Sequence, residues 1–182
     1  MKRRSFLQTA GLLGVLGTTK VQNPEPVIIA TWKNEAGTKA GYDKILQTGK
    51  ALDGVEAGAW VPEADPNETT VGYGGYPDRD GHVTLDACIM DHLGNAGSVT
   101  FLEGIMHPIS VARAIMEKTP HVMLVGSGAQ QFAISEGFSL EKDELSKDAK
   151  NAYENWLKKS TYKPIYNVER QSEIPKNDAA YN

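Results

Sequence analysis

Cysteine is almost missing from this chain. Cys88 is the only one in 182 residues, so no disulfide can form within it, and no Cys/His cluster has the spacing of a zinc site. Cys88 itself reads as a small apolar residue buried in a strand. Long apolar runs are missing too. The stretch from Ala10 to Leu16 is too short to span a bilayer. No basic stripe with interleaved aromatics occurs, and the formal charge is −4, so nucleic acid is not an expected partner. Gly126-Ser127-Gly128 follows an apolar run, yet neither G-x-G-x-x-G nor G-K-[ST] accompanies it; a helix entry turn explains it better than a phosphate loop. No internal repeat is present.

What is there suits one domain. Apolar residues make up 40% of the chain, enough for a single core. The first residues stand apart. Lys2-Arg3-Arg4-Ser5-Phe6-Leu7 followed by a short apolar segment resembles a twin-arginine export signal, so residues 1–20 are expected to be a Tat-like leader and the protein to be periplasmic. A plain basic tail is the alternative. Residues 1–20 hold four of the 19 basic residues and none of the 23 acidic ones, so the remainder carries a charge of −8.

Read in order, Val27–Thr31 is a continuous apolar run, expected as a strand buried on both faces. Thr38 to Gly49 reads as a helix with Ala40, Ile45 and Leu46 near one face and Gly49 as its stop. Ala51 to about Val61 reads as a second helix, with Leu52, Val55, Ala59 and Trp60 on one face. Gly54, Ala57 and Gly58 mark its other side for close packing. Pro62–Thr69 reads as an acidic loop. His92–Gly97 turns into a return strand, Ser98–Leu102. Pro108 suits the first turn of a helix that Thr119-Pro120 ends. His121–Val125 is expected as another buried strand, Ala129–Glu136 as a short helix, and Asp148–Lys158 as an amphipathic one. This order suggests an α+β protein, antiparallel sheet covered by helices.

The densest signal is Val71–Asp91. Gly72, Gly74, Gly75 and Gly81 fall within ten residues, a composition for tight turns and close backbone approach. Pro77-Asp78-Arg79-Asp80-Gly81 is a turn. Val83, Leu85, Ala87 and Ile89 then alternate as one face of a half-buried strand. Asp86 and Asp91 are spaced to opposite faces, which favours sheet and turn roles over a carboxylate pair. His82, His107 and His121 lie far apart, lack a sequence-adjacent partner and read as surface or turn residues.

Several blocks together resemble the glycosylasparaginases: Thr31-Trp32; Gly49-Lys50-Ala51-Leu52-Asp53; Val71-Gly72-Tyr73-Gly74-Gly75; Thr84–Asp91; Pro108–Ala114; and Lys118–Gly126, in that order and spacing across residues 26–168. The resemblance implies an N-terminal-nucleophile hydrolase with an αββα sandwich. Such a precursor cuts itself before a threonine in a His-Asp-Thr-Ile-Gly context. The freed threonine attacks the substrate, with its own amino group as base, and donors stabilise the oxyanion. No cofactor is implied.

That motif is absent here, and the sequence stops at Asn182, about where it would begin. The expectation is therefore an α half: residues 21–168 as the family-like domain and 169–182 as a mobile tail before the cut, with no catalytic residue of its own and no metal. The implied partners are a β half carrying the threonine, glycosylated asparagine as substrate, and an (αβ)2 assembly. Among the residues present, Trp32 matches a pocket-lining tryptophan. Thr70, Gly72 and Gly74 would support the active site, Thr70 keeping a hydroxyl where the family tends to place serine. Asn34 replaces an aromatic residue common in the bacterial proteins, which puts the sugar-side contact in question. An asparaginase or isoaspartyl peptidase is the enzymatic alternative, and an inactive exported fragment or binding domain the other. Half a sandwich would also leave sheet surface bare and the isolated chain poorly soluble.

Overall fold

A computed structural model describes residues 25–142 and 144–161. The leader and the tail expected at the two ends lie outside these residues.

Helix α1 (Glu35–Thr48) starts where Asn34 supplies a cap: its side-chain oxygen accepts the Gly37 N–H at 3.0 Å. It stops at Gly49, whose φ of 70° lets its N–H reach the Ile45 carbonyl. Helix α2 (Ala51–Ala64) follows after two residues and doubles back on α1. The two meet at their glycines. A Cβ on Gly54 would lie 2.7 Å from the Gly41 carbonyl oxygen, and one on Gly58 would lie 3.0 Å from that of Gly37. Close packing on the small-residue side of α2 is thus as expected. The helix itself runs further than expected, through Pro62 to Ala64, so the acidic loop begins at Asp65.

Strand β1 (Leu85–Met90) and strand β2 (Ala96–Leu102) form an antiparallel hairpin. Asp91 closes its turn, one carboxylate oxygen accepting the N–H groups of Leu93 and Asn95, each at 2.9 Å. A register shift falls between Leu85 and Ala87, where the Asp86 carboxylate accepts the Phe101 N–H at 2.8 Å and bonds the Thr100 hydroxyl. Helix α3 (Pro108–Lys118) then carries the chain across to strand β3 (Met123–Val125), which lies parallel to β2. The three-stranded sheet is therefore mixed rather than antiparallel: a helical crossover, not a hairpin, joins its last two strands. Helix α4 (Gly126–Ser135) and helix α5 (Lys147–Lys159) complete the described elements.

The core lies between one face of this sheet and α3. Leu85, Ile89, Val99 and Leu102 meet Ile109, Val111, Ala112 and Ile115, and α4 adds Ala129 and Ala133. Gly97 brings β2 against the α3 backbone, for a Cβ there would lie 2.1 Å from the Ala112 carbonyl oxygen. The class is α+β, with helices packed on a small sheet.

Three local expectations need correction. Val27–Thr31 is not a buried strand; Val27 and Ile29 are 77% and 84% exposed, because no strand among the described residues pairs with this segment. His121–Val125 shortens to three residues at the sheet edge, with Met123 and Val125 about half exposed. Cys88 is exposed, since it sits on the face of β1 turned away from α3.

Candidate active-site wall

A groove of about 540 Å³ opens between the extended segment Ile28–Trp32 and the outer side of β1. The side of α2 from Val55 to Glu63 and the first turn of α3, Pro108-Ile109, close its base. Thr70-Val71-Gly72 forms one wall.

That wall is built by close backbone approach. Gly72 has a φ of 64°, and a Cβ on it would lie 2.2 Å from the Glu63 carbonyl oxygen. Glycine is required on both counts. The chain makes one 3-10 turn at Gly72–Gly74 and leaves through Gly75, whose N–H bonds the Gly72 carbonyl at 3.1 Å. Gly74 is buried against the carbonyls of Asp65, Pro66 and Glu68.

Below the wall sits a carboxyl group out of water. Glu63 is 6% exposed. One of its oxygens accepts the Ile109 N–H at 3.1 Å, satisfying a donor at the start of α3; the other lies 3.2 Å from His107 Nδ1. Burial raises the Glu63 pKa to about 8; the Ile109 hydrogen bond opposes the shift, and the charge of Glu56 adds to it. Burial also lowers the His107 pKa, against the pull of Glu56 and Glu141. Their spacing is that of an ion pair, while burial shifts both groups toward their uncharged forms.

Beside it, a polar network ties α2 to α3. The Trp60 indole N–H donates to Ser110 Oγ at 2.7 Å, and that hydroxyl donates to Glu56 at 2.6 Å. Arg113 reaches Glu56 at 2.7 Å and both Asp53 and Glu117 at 2.8 Å. Burial works against the Arg113 charge, but these three carboxylates outweigh it and raise its pKa. The Trp60 and His107 rings lie 5.3 Å apart, centre to centre.

The structure brings Trp32, Thr70 and Gly72 to one groove, together with Asn34. Trp32 is 62% exposed, its indole available as an apolar wall. Asn34 spends its side-chain oxygen on capping α1. The Thr70 hydroxyl donates to Glu68 at 2.6 Å, and its N–H donates to the same oxygen at 3.0 Å. These bonds hold the Glu68 carboxyl below its usual range. Glu68 is thus a weak base, and the Thr70–Glu68 pair is unsuited to activating a nucleophile. Gly74 does not face the groove; it packs behind the wall.

Sequence reasoning missed Glu63 and the Ser110–Arg113 network, and read His107 as a surface or turn residue. A signal existed. Glu63 falls four residues after Ala59 on the apolar stripe of α2, where a charged residue needs a buried partner.

A family model described as "Asparaginase" matches residues 11–181 of this chain. The chain belongs to this asparaginase family. Among relatives of the family, an N(4)-(beta-N-acetylglucosaminyl)-L-asparaginase of Elizabethkingia miricola is 53% identical over 151 residues, covering 82% of this chain and 44% of the relative. The protein of that name from Mus musculus is 40% identical over 163 residues, covering 88% of this chain and 47% of the relative. An isoaspartyl peptidase/L-asparaginase of Rattus norvegicus is 38% identical over 128 residues, covering 62% of this chain and 38% of the relative. The chain thus spans a little under half the length of these asparaginase relatives.

Proposed function

We propose that this chain forms the first half of an amidohydrolase that cleaves the amide between N-acetylglucosamine and asparagine. Its nucleophile would be a threonine of the second half, exposed as a new N-terminus by self-cleavage. The observation that carries this reading is the groove. It presents an indole, an exposed hydroxyl and a close-packed glycine wall, yet no activated nucleophile among the described residues. Such a surface can bind and orient a substrate, while the attacking group comes from outside it.

The sheet supports the same reading. One face is covered by α3. The other carries Met90, Met123 and Val125, each more than half exposed, together with Cys88. A second sheet packed there would complete an αββα sandwich, with the partner half's strand beside the bare edge of β1. In this proposal Trp32 lines the substrate pocket, Thr70, Gly72 and Gly74 support the active site, and the working unit is a two-chain enzyme paired as (αβ)2. Delivery to the periplasm by the twin-arginine segment is part of the proposal; an N-terminal fusion to a reporter that fluoresces only when exported folded tests it.

An isoaspartyl peptidase or asparaginase is the second reading. The observation favouring it is Asn34, whose capping role leaves that part of the groove without an aromatic wall for a sugar. The test is turnover of glycosylated asparagine against a β-aspartyl dipeptide by the chain joined to the second half its relatives carry. Preferential cleavage of the sugar–asparagine amide is expected. Cleavage of the dipeptide alone would overturn the first reading in favour of the second.

A further inference from the structure

Glu63 has an unusual position for an acid: it is buried at the meeting point of three elements. Its backbone belongs to the last turn of α2 and forms the surface against which Gly72 packs. Its side chain reaches the first free N–H of α3, at Ile109, Pro108 having none to offer. The second carboxyl oxygen touches His107, whose ring lies tilted against that of Trp60 on α2. Glu63, Gly72 and Ile109 all line the groove.

We propose that Glu63 is the positioning residue of this site: its backbone seats the Gly72 wall, and its side chain fixes that backbone to the first turn of α3. It touches no reacting atom; it acts through the wall. The inference deepens the amidohydrolase reading and rests on it for its kinetic consequence, but the mechanical claim stands on the contacts alone. The groups facing Glu63 are His107 from the start of α3 and Glu56 from its own helix, with Glu141 acting on His107. In the uncharged form the carboxyl accepts the Ile109 N–H and meets a neutral imidazole. Ionised, it places a second negative charge near Glu56 without a cation, and the joint weakens.

The test uses the chain joined to the second half of its relatives, with two readouts. One is amide exchange at Ile109 and Gly72–Gly75, corrected for the intrinsic pH dependence; the other is turnover. Glu63→Ala is expected to speed exchange at both places about tenfold or more, and to lower kcat by a similar factor with a smaller change in KM, as a lost buried hydrogen bond implies. Glu63→Gln, which keeps the acceptor and cannot ionise, is expected to restore most of both. It should also abolish the loosening expected of the native protein between pH 7 and 9, a range set by the Glu63 pKa of about 8. Unchanged exchange at Gly72–Gly75 in Glu63→Ala would overturn the proposal, as would equal impairment of the Ala and Gln variants. If Glu63→Ala fails to fold, the comparison of Gln with native across pH decides alone. If the exchange results appear while no protein turns over the glycosylated substrate, the joint stands and the amidohydrolase reading falls.

Discussion

Strands β1 and β2 present two faces that differ in finish. On the α3 side, Leu102 and Ile115 are fully buried and Val99 nearly so. On the other side, residues of the same strands alternate outward, and Met90 is 66% exposed. Period-two alternation makes both faces from one sequence, so the difference cannot lie in the strands. It lies in what is packed on them. A face lined by Met90, Cys88, Met123 and Val125 has the chemistry of a core without its cover. The groove beside β1 reaches this face at Cys88.

Mutations can sharpen this contrast. Leu102→Ala should cost about 2–5 kcal/mol, because it opens a cavity in a packed core. Met123→Ala, on the bare face, should stay within about 0.5 kcal/mol in this chain alone. Urea unfolding of both variants checks the pair; a comparable loss at Met123 would mean that the bare face is already covered. Joined to the second half, Met123→Ala should become costly if the cover arrives with it.

Gly72→Ala comes next. Positive φ and a backbone clash with Glu63 combine there, and about 2 kcal/mol or more is expected, with the wall displaced. Gly49→Ala has positive φ but open space around it, so about 1 kcal/mol is the expectation. Thermal unfolding of the two variants separates strain from clash.

The smallest effect is a pH dependence. The folded-state pKa of Glu63, about 8, lies above its ordinary value of 4.5. Its stabilisation is therefore complete below about pH 4.5 and is lost as pH rises through 8. His107 has the opposite sign: its lowered pKa favours the fold above its ordinary value of 6.5 and weakens it as pH falls. Stability measured from pH 5 to 9 should fall less steeply between about pH 5 and 8 in Glu63→Gln than in the native chain. Identical slopes would remove Glu63 from the account.

Much of this was legible in the sequence. The helix stop at Gly49, the entry at Pro108, the glycine seam of α2 and the alternation of β1 all follow from local chemistry, and all are observed. The resemblance in separated blocks led to the family that the comparisons show. The misses share a cause. Val27–Thr31, His121–Val125 and Cys88 were read as buried because apolar residues in short runs usually are. Burial, however, needs a layer packed on the side chain, and no described element covers the exposed sides of these residues. Glu63 and His107 escaped for the complementary reason: their partnership spans 44 positions and exists only once α2 and α3 meet. A block pattern singled out Trp32, Thr70, Gly72 and Gly74; the structure places the first three along one groove and Gly74 behind its wall.

The central claim is that a second half of the protein covers the bare face and completes the groove. Cys88 reports on it directly. It is the only cysteine of the chain, it is exposed, and it lines the groove on that face. The measurement is the rate of alkylation of the Cys88 peptide by a small maleimide, followed by mass spectrometry, in the chain alone and in the chain joined to the second half. The account predicts ready labelling alone and strong protection when joined. Equal rates in the two would contradict it.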